Sequence, residues 1–251
     1  MRQITEKEKY PTLSRWIKNK LINKMFKDNS YLAQKYFLEI GCGTGEILEF
    51  LDNYKMSGEG TDLSQDAIDI AKTRMPKDSK IKIYKKNFFE LNQKYGLTLM
   101  MDVLEHLEDD DSAVEKMNLL LNKDGFFILN VPAHQKLFSE FDEAVGHFRR
   151  YEKDDLIKLL KKHGFEIKIF WSYGTNLLSL TGSIFSKKEK NMEISRKERT
   201  VHSGMTQPSF MKKYYSLFSK FYFLSYLQWP FLNTDIGANY LILCKKSGEK
   251  A

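Results

Sequence analysis

The stretch Tyr36-Phe37-Leu38-Glu39-Ile40-Gly41-Cys42-Gly43-Thr44-Gly45-Glu46-Ile47-Leu48 constrains this chain more than any other. A short apolar run, three alternating glycines and an apolar-periodic continuation predict a strand, a tight turn and the start of a helix. Glycine at every second position lets the backbone pass close to a ligand and turns the free amides of a helix N-terminus toward it. The spacing G-x-G-x-G is not the dinucleotide fingerprint G-x-G-x-x-G, whose last glycine falls one residue later. The competing reading is a turn that only tightens a strand–helix joint.

The segments after the turn favour a ligand. Gly58-Glu59-Gly60-Thr61-Asp62-Leu63-Ser64 predicts a second strand ending in an acid about 20 residues past the turn, where a carboxylate can accept hydrogen bonds from both ribose hydroxyls. Ser64 is a suitable N-cap for a helix over Gln65 to Arg74, with Ala67, Ile68 and Ala71 as its buried stripe. The alternating run Lys80 to Lys85 predicts a third strand, leading into Asn87-Phe88-Phe89. Leu97 to Met101 predicts a fourth, running into Asp102-Val103-Leu104-Glu105-His106-Leu107. The acids Asp109, Asp110 and Asp111 suit the N-terminus of a helix over Ala113 to Leu121, and Asn122-Lys123-Asp124-Gly125 reads as a turn. Phe126 to Val131, stopped by Pro132, has the near-continuous apolar character of a central parallel strand.

The next segment contains Pro132, His134, Asp142, His147, Arg149, Arg150 and Tyr151, interleaved with aromatics and without helical or strand period. It comes after a strand of the sheet, on the edge where open α/β sheets place their ligands. A helix over Glu152 to His163, capped by Gly164, and strands over Glu166 to Trp171 and Asn239 to Cys244 complete the pattern. Ahead of the first strand, residues 11–29 carry a helical period with Trp16 on the apolar face.

The turn E-I-G-C-G-T-G resembles the first motif of the class I S-adenosylmethionine (SAM)-dependent methyltransferases, and D-V-L-E-H-L resembles the fourth-strand motif of its quinone and small-molecule branches. The segment ending G-H-x-R-R-Y is similar to one found in bacterial members often associated with glycan or cell-envelope pathways. This resemblance implies a three-layer α/β sandwich around a mostly parallel seven-stranded sheet with the last strand antiparallel, plus an N-terminal helix and a helical insertion before the last strand. The organisation expected is an N-terminal helical cap (1–34), a SAM-binding core (35–171), an insertion forming a lid or acceptor site (172–235) and a final strand with tail (236–251). It further implies SAM contacts from Glu39, Gly41, Cys42, Gly43, Gly45, Asp62, Leu63, Asn87, Phe88, Asp102 and Val103. Asn87 stands where the family more often has Asp. Glu105, Asp142, Arg149, Arg150 and Tyr151 are the expected acceptor-binding residues. His147 and His134, with His106 behind them, are the candidate proton acceptors. The reaction implied is in-line methyl transfer to an O or N atom of a small-molecule, sugar-linked or lipid-linked acceptor.

The chain has 251 residues, 42% hydrophobic and 29% charged, which suits one large soluble domain with an elaboration. Two cysteines, Cys42 and Cys244, in no metal-like spacing, predict neither a metal site nor a disulfide framework. The N-terminus lacks the apolar core of a signal peptide, and no run reaches the length of a spanning helix, so the expected location is cytoplasmic. A formal charge of +7 keeps an RNA-directed methyltransferase as an alternative, although no appended RNA-binding motif is present. A non-catalytic SAM-fold module is the other. Residues 187–199 are charged and read as a loop, whereas 209–229 are aromatic-rich with a wide apolar face. That face fits a lid on its own domain, or peripheral contact with a membrane. The oligomeric state is not legible.

Overall fold

The computed structural model describes residues 13–175 and 229–247. The predicted loop over 187–199 and helix over 209–229 fall outside those residues, apart from Trp229.

Helix α1 (Leu13–Asp28) precedes β1 (Phe37–Ile40), which leads through the glycine turn into α2 (Glu46–Asn53). Strand β2 (Gly58–Asp62), helix α3 (Gln65–Arg74), β3 (Ile81–Lys85), β4 (Tyr95–Met101), helix α4 (Asp110–Leu120) and β5 (Leu121–Pro132) come next. A short helix α5 (Glu140–Val145), α6 (Lys153–Lys162), β6 (Phe165–Thr175) and β7 (Gly237–Lys246) complete the described chain. The seven strands form one sheet in the order β3-β2-β1-β4-β5-β7-β6. Strands β1 to β5 pair in parallel, and β7 lies between β5 and β6, antiparallel to both.

The sheet is apolar on both faces, as buried parallel strands must be. Leu21, Phe37, Leu48, Leu99, Ile128 and Leu243 build the core beneath α1 and α2. Leu38, Met100, Val114, Leu129, Leu156 and Ile242 build the one beneath α4 and α6. Each such aliphatic side chain contributes about 1.5–3 kcal/mol when fully buried. Ser64 caps α3 by accepting from the amide of Ala67 (3.3 Å), and Gly164, at φ +72°, ends α6 in the left-handed conformation that glycine tolerates. Trp16 packs partly buried against the first core, with the Lys20 ammonium 5.4 Å from its ring centre.

Three local expectations are corrected. Strand β5 begins at Leu121 rather than Phe126: the residues read as a turn are looped out within the strand, with Asp124 at φ +61°, as the register against β4 shifts between Tyr95 and Leu97. Strand β6 runs on to Thr175, past Trp171. The segment without period contains helix α5, opened by a capping box between Ser139 and Asp142. Between β3 and β4 the crossover carries only a 3-10 turn, Phe88–Glu90. It leaves a cleft of about 570 Å³ over that sheet face, where the Glu59 carboxylate accepts from Tyr36 (3.0 Å), Tyr95 (2.7 Å) and Tyr84.

Candidate active site

The glycine turn lies at the carboxyl end of β1, with Gly41, Gly43 and Gly45 at φ +66°, +50° and +81°. These left-handed values exclude most side chains, and space excludes them again at two of the three. A β-carbon on Gly41 would overlap the Val103 side chain, and one on Gly45 would lie 2.9 Å from the Ala71 β-carbon. A β-carbon on Gly43 would meet nothing within 4 Å, so this is where the turn faces open space. Gly41→Ala is therefore expected to lower stability by about 2–3 kcal/mol, from backbone strain and overlap together, measured by urea unfolding.

Asp62 closes the turn from β2. One carboxylate oxygen accepts from the Gly43 amide and the other from the Ser64 amide, both at 2.8 Å. Beneath the turn, the buried Arg74 reaches the Thr44 hydroxyl at 3.3 Å. Leu63 beside Asp62 is 48% exposed, a large apolar side chain left facing outward. Asn87 accepts from the Phe89 amide at 3.1 Å and is itself exposed. Phe88 belongs to the core, its ring 4.2 Å from that of Phe89, which is the exposed member of the pair.

Glu39 is a carboxylate in the middle of a central strand, 2% exposed, and among the described residues its Oε2 has no hydrogen-bond partner. Burial pushes its carboxyl well above the usual carboxylate range, with the Lys18 charge opposing. The unfolded chain gives up that proton near pH 4.5 while the folded chain retains it, so Glu39 favours folding most below pH 4.5 and less as pH rises. Glu39→Gln is expected to raise stability at pH 8 by about 1–2 kcal/mol and to flatten the alkaline fall, read from Tm against pH.

Asp102 ends β4 at φ +58°, held there by its amide donating to the Asn130 carbonyl at 3.0 Å. Its carboxylate takes a hydrogen bond from the Asn130 side chain and an ion pair from Lys18 of α1, while Asn130 in turn accepts from the Tyr173 hydroxyl at 2.8 Å. Arg15 and Asn19 of the same helix hold Glu46, so α1 is fastened across the ligand end of the sheet. Lys18 and Asn130 were not among the residues expected at the site. The signal for Asn130 is a lone amide inside the most apolar strand. Lys18 stands among many lysines and carries no comparable mark.

Beyond Asp102, a second group forms. Glu105 is 1% exposed, and its Oε1 lies 3.9 Å from His147 Nε2. The rings of His106 and His147 meet edge to face, 4.6 Å apart. His147 Nδ1 lies 2.8 Å from Asp142 Oδ1, and Arg150 brackets the same carboxylate at 3.0 and 3.1 Å. Burial would raise the Asp142 carboxyl, but the His147 hydrogen bond and the Arg150 charge outweigh it and hold it at about 2. Burial, reinforced by the Asp102 charge, pushes Glu105 well above the usual carboxylate range. The two segments are tied together by the Phe148 amide donating to the Glu105 carbonyl at 2.8 Å.

The remaining expected residues have partners within the chain. Asp142 is fully buried and turned toward its own helix and loop. Arg149 pairs with Asp110 at 2.9 Å and donates to the Glu108 carbonyl. Tyr151 is buried, its hydroxyl on Asp110 at 3.0 Å. His134, at φ +62°, stands with a different set of partners, Glu152 at 3.2 Å and Asp235 at 3.7 Å.

Comparison with known proteins agrees with this fold. The methyltransferase domain family matches residues 13–168, and the chain belongs to that family, whose methyl donor is SAM. It is similar to a ubiquinone biosynthesis O-methyltransferase of Pelagibacter ubique, 31% identical over 125 residues that make up 47% of this chain. The match spans about half, 52%, of that relative's length. A ubiquinone biosynthesis O-methyltransferase of Coxiella burnetii is 26% identical over 69% of this chain and 77% of its own. Among solved structures, magnesium protoporphyrin IX methyltransferase of Synechocystis with bound S-adenosylhomocysteine shares the fold. Its TM-score is 0.60 at 13% identity, covering 98% of this chain and 89% of that one. No helix among the described residues is long and apolar enough to cross a membrane.

Proposed function

We propose that this protein transfers the methyl group of SAM to an oxygen of a small-molecule acceptor held beside Glu105, His106 and His147. The observation that carries this reading is the adjacency, at one end of the sheet, of an open glycine turn closed by Asp62 and a largely buried histidine–carboxylate pair. When bound, SAM supplies an already activated methyl group, so the protein's part is alignment, exclusion of water and removal of a proton.

The residues fit the cofactor. Gly43 leaves room at the turn, Asp62 offers a carboxylate to ribose hydroxyls, and the partnerless Oε2 of Glu39 offers a buried acceptor for an ammonium. Gly41, Cys42, Gly45, Leu63, Asn87, Phe88, Asp102 and Val103 complete the proposed contacts. On the acceptor side, Asp142 fixes His147 so that Nε2 faces the Glu105 side of the site and can take the acceptor's proton. Arg149, Arg150, Asp142 and Tyr151 shape this pocket from behind through their internal pairings. The likeness to two ubiquinone biosynthesis O-methyltransferases favours oxygen over nitrogen and a small-molecule acceptor over RNA.

The test is calorimetric titration of the protein with S-adenosylhomocysteine, then a methyl-transfer assay over phenols, sugar hydroxyls, amines and RNA. Micromolar binding of S-adenosylhomocysteine, with turnover confined to hydroxyl acceptors, is the expected result. Turnover of amines or RNA alone would overturn the oxygen assignment, and absence of S-adenosylhomocysteine binding would overturn the cofactor assignment.

A further inference from the structure

We propose that Asn130 and Tyr173 are positioning residues for the methyl donor, holding the Asp102 carboxylate where it receives the ammonium of the donor's amino-acid end. The inference deepens the SAM reading and rests on it.

Both residues place polar groups where the fold otherwise buries apolar ones. Asn130 is 0% exposed, between Leu129 and Val131 in the most apolar strand, and Tyr173 is 2% exposed on β6. Strand β7 lies between β5 and β6, so the Tyr173 hydroxyl reaches over two strand spacings of about 4.8 Å each. It donates to Asn130 Oδ1 at 2.8 Å. That bond fixes which way the amide faces: with Oδ1 on Tyr173, Nδ2 is turned to the Asp102 carboxylate, to which it donates. The Asn130 carbonyl also accepts from the Asp102 amide at 3.0 Å. Asn130 thus grips Asp102 by backbone and side chain together.

Asp102 stands at φ +58°, a left-handed conformation that is costly for a residue other than glycine and persists only where its neighbours impose it. Lys18 binds one oxygen of its carboxylate and Asn130 the other. The side chain is still 43% exposed, and an ionised carboxylate has about four lone-pair sites. It is therefore anchored from beneath and open outward. The next residue, Val103, packs against Gly41 of the glycine turn, which puts this open acceptor beside the proposed cofactor seat. A ligand ammonium arriving there meets an acceptor whose direction is set before binding, so little ordering cost is left. A buried pair that served only to satisfy itself would not need to end on an open carboxylate.

The experiment measures, by calorimetry on the full chain, affinities for S-adenosylhomocysteine and for 5′-methylthioadenosine, which keeps the adenosyl part and lacks the amino-acid end. The wild type should prefer S-adenosylhomocysteine. The double variant Asn130→Leu/Tyr173→Phe replaces both buried partners with apolar groups and leaves neither orphaned, so its Tm should not fall. Its affinity for S-adenosylhomocysteine should drop about tenfold, with that for 5′-methylthioadenosine held within about twofold. Tyr173→Phe alone, which removes one oxygen, should show a drop of about threefold and serves if the double variant does not fold. Asp102→Asn alone should weaken S-adenosylhomocysteine about tenfold, yet add less than about twofold on top of the double variant, because the pair acts through Asp102. Unchanged affinity in the folded variants, a parallel fall for both ligands, or losses that simply add overturns the proposal and leaves the SAM reading standing. A wild type that binds the two ligands equally overturns it in the same way. A wild type that binds neither overturns the SAM reading and this inference together.

Discussion

Asp62→Ala is expected to weaken S-adenosylhomocysteine binding by about 100-fold, read by calorimetry. The loss has two sources. The proposed carboxylate contact to the ribose is worth about 1.5–3 kcal/mol as a charge-assisted hydrogen bond. The same carboxylate also holds the Gly43 and Ser64 amides at 2.8 Å, so its removal frees the turn that the cofactor needs in one conformation. Asp62→Asn separates the two. Its carbonyl can still accept from one amide, so most of the turn's order should survive while ribose affinity stays low. Unchanged affinity in the alanine variant would remove Asp62 from the site.

His147→Ala is expected to lower kcat by about 10²–10⁴, the usual span for a lost proton-transfer group, with S-adenosylhomocysteine affinity held within about twofold. Asp142→Asn should reproduce most of this loss and, unlike the first variant, cost about 3 kcal/mol of stability. It leaves the partly buried Arg150 guanidinium without its counter-charge. The sign with pH comes from the depressed Asp142 carboxyl. The folded protein keeps it ionised to about pH 2, whereas the unfolded chain takes up a proton near 3.8. Its contribution is therefore complete above about pH 4 and lost as pH falls toward 2. In the asparagine variant this acid limb of the stability curve should be shallower. An unaltered kcat in both variants would show that His147 has no part in the chemistry.

The frame of the molecule was legible because it is written in period and punctuation. Helices α2 and α3 arise from glycine and serine caps set before an apolar stripe, and β5 from an apolar run ended by proline. The limits of α5 and the start of β5 were not legible. A capping box inside an aromatic, charged segment and a looped-out turn inside a strand are tertiary outcomes that local propensity does not decide. The site divides in the same way. Backbone-shaped features such as Gly41, Gly43 and Asp62 left a pattern in the sequence. Lys18, Asn130 and the meeting of His106 with His147 depend on which segments the sheet brings together. Arg149, Arg150 and Tyr151 were read as acceptor contacts from their chemistry, yet their polar groups are engaged by Asp110, Asp142 and nearby carbonyls.

Thr175 and Gly237 face each other on the last rung of the β6–β7 ladder. The chain from 176 to 236 thus departs from and rejoins the sheet at a single point, a strand's width across. Closing such a connection costs only about 0.6 kcal/mol more for each doubling of its length. The pairing of β6 with β7 at that rung therefore sets little limit on the length of the connection, although its last residues are tied to the sheet through Leu232, which is buried and accepts from the Ser172 amide.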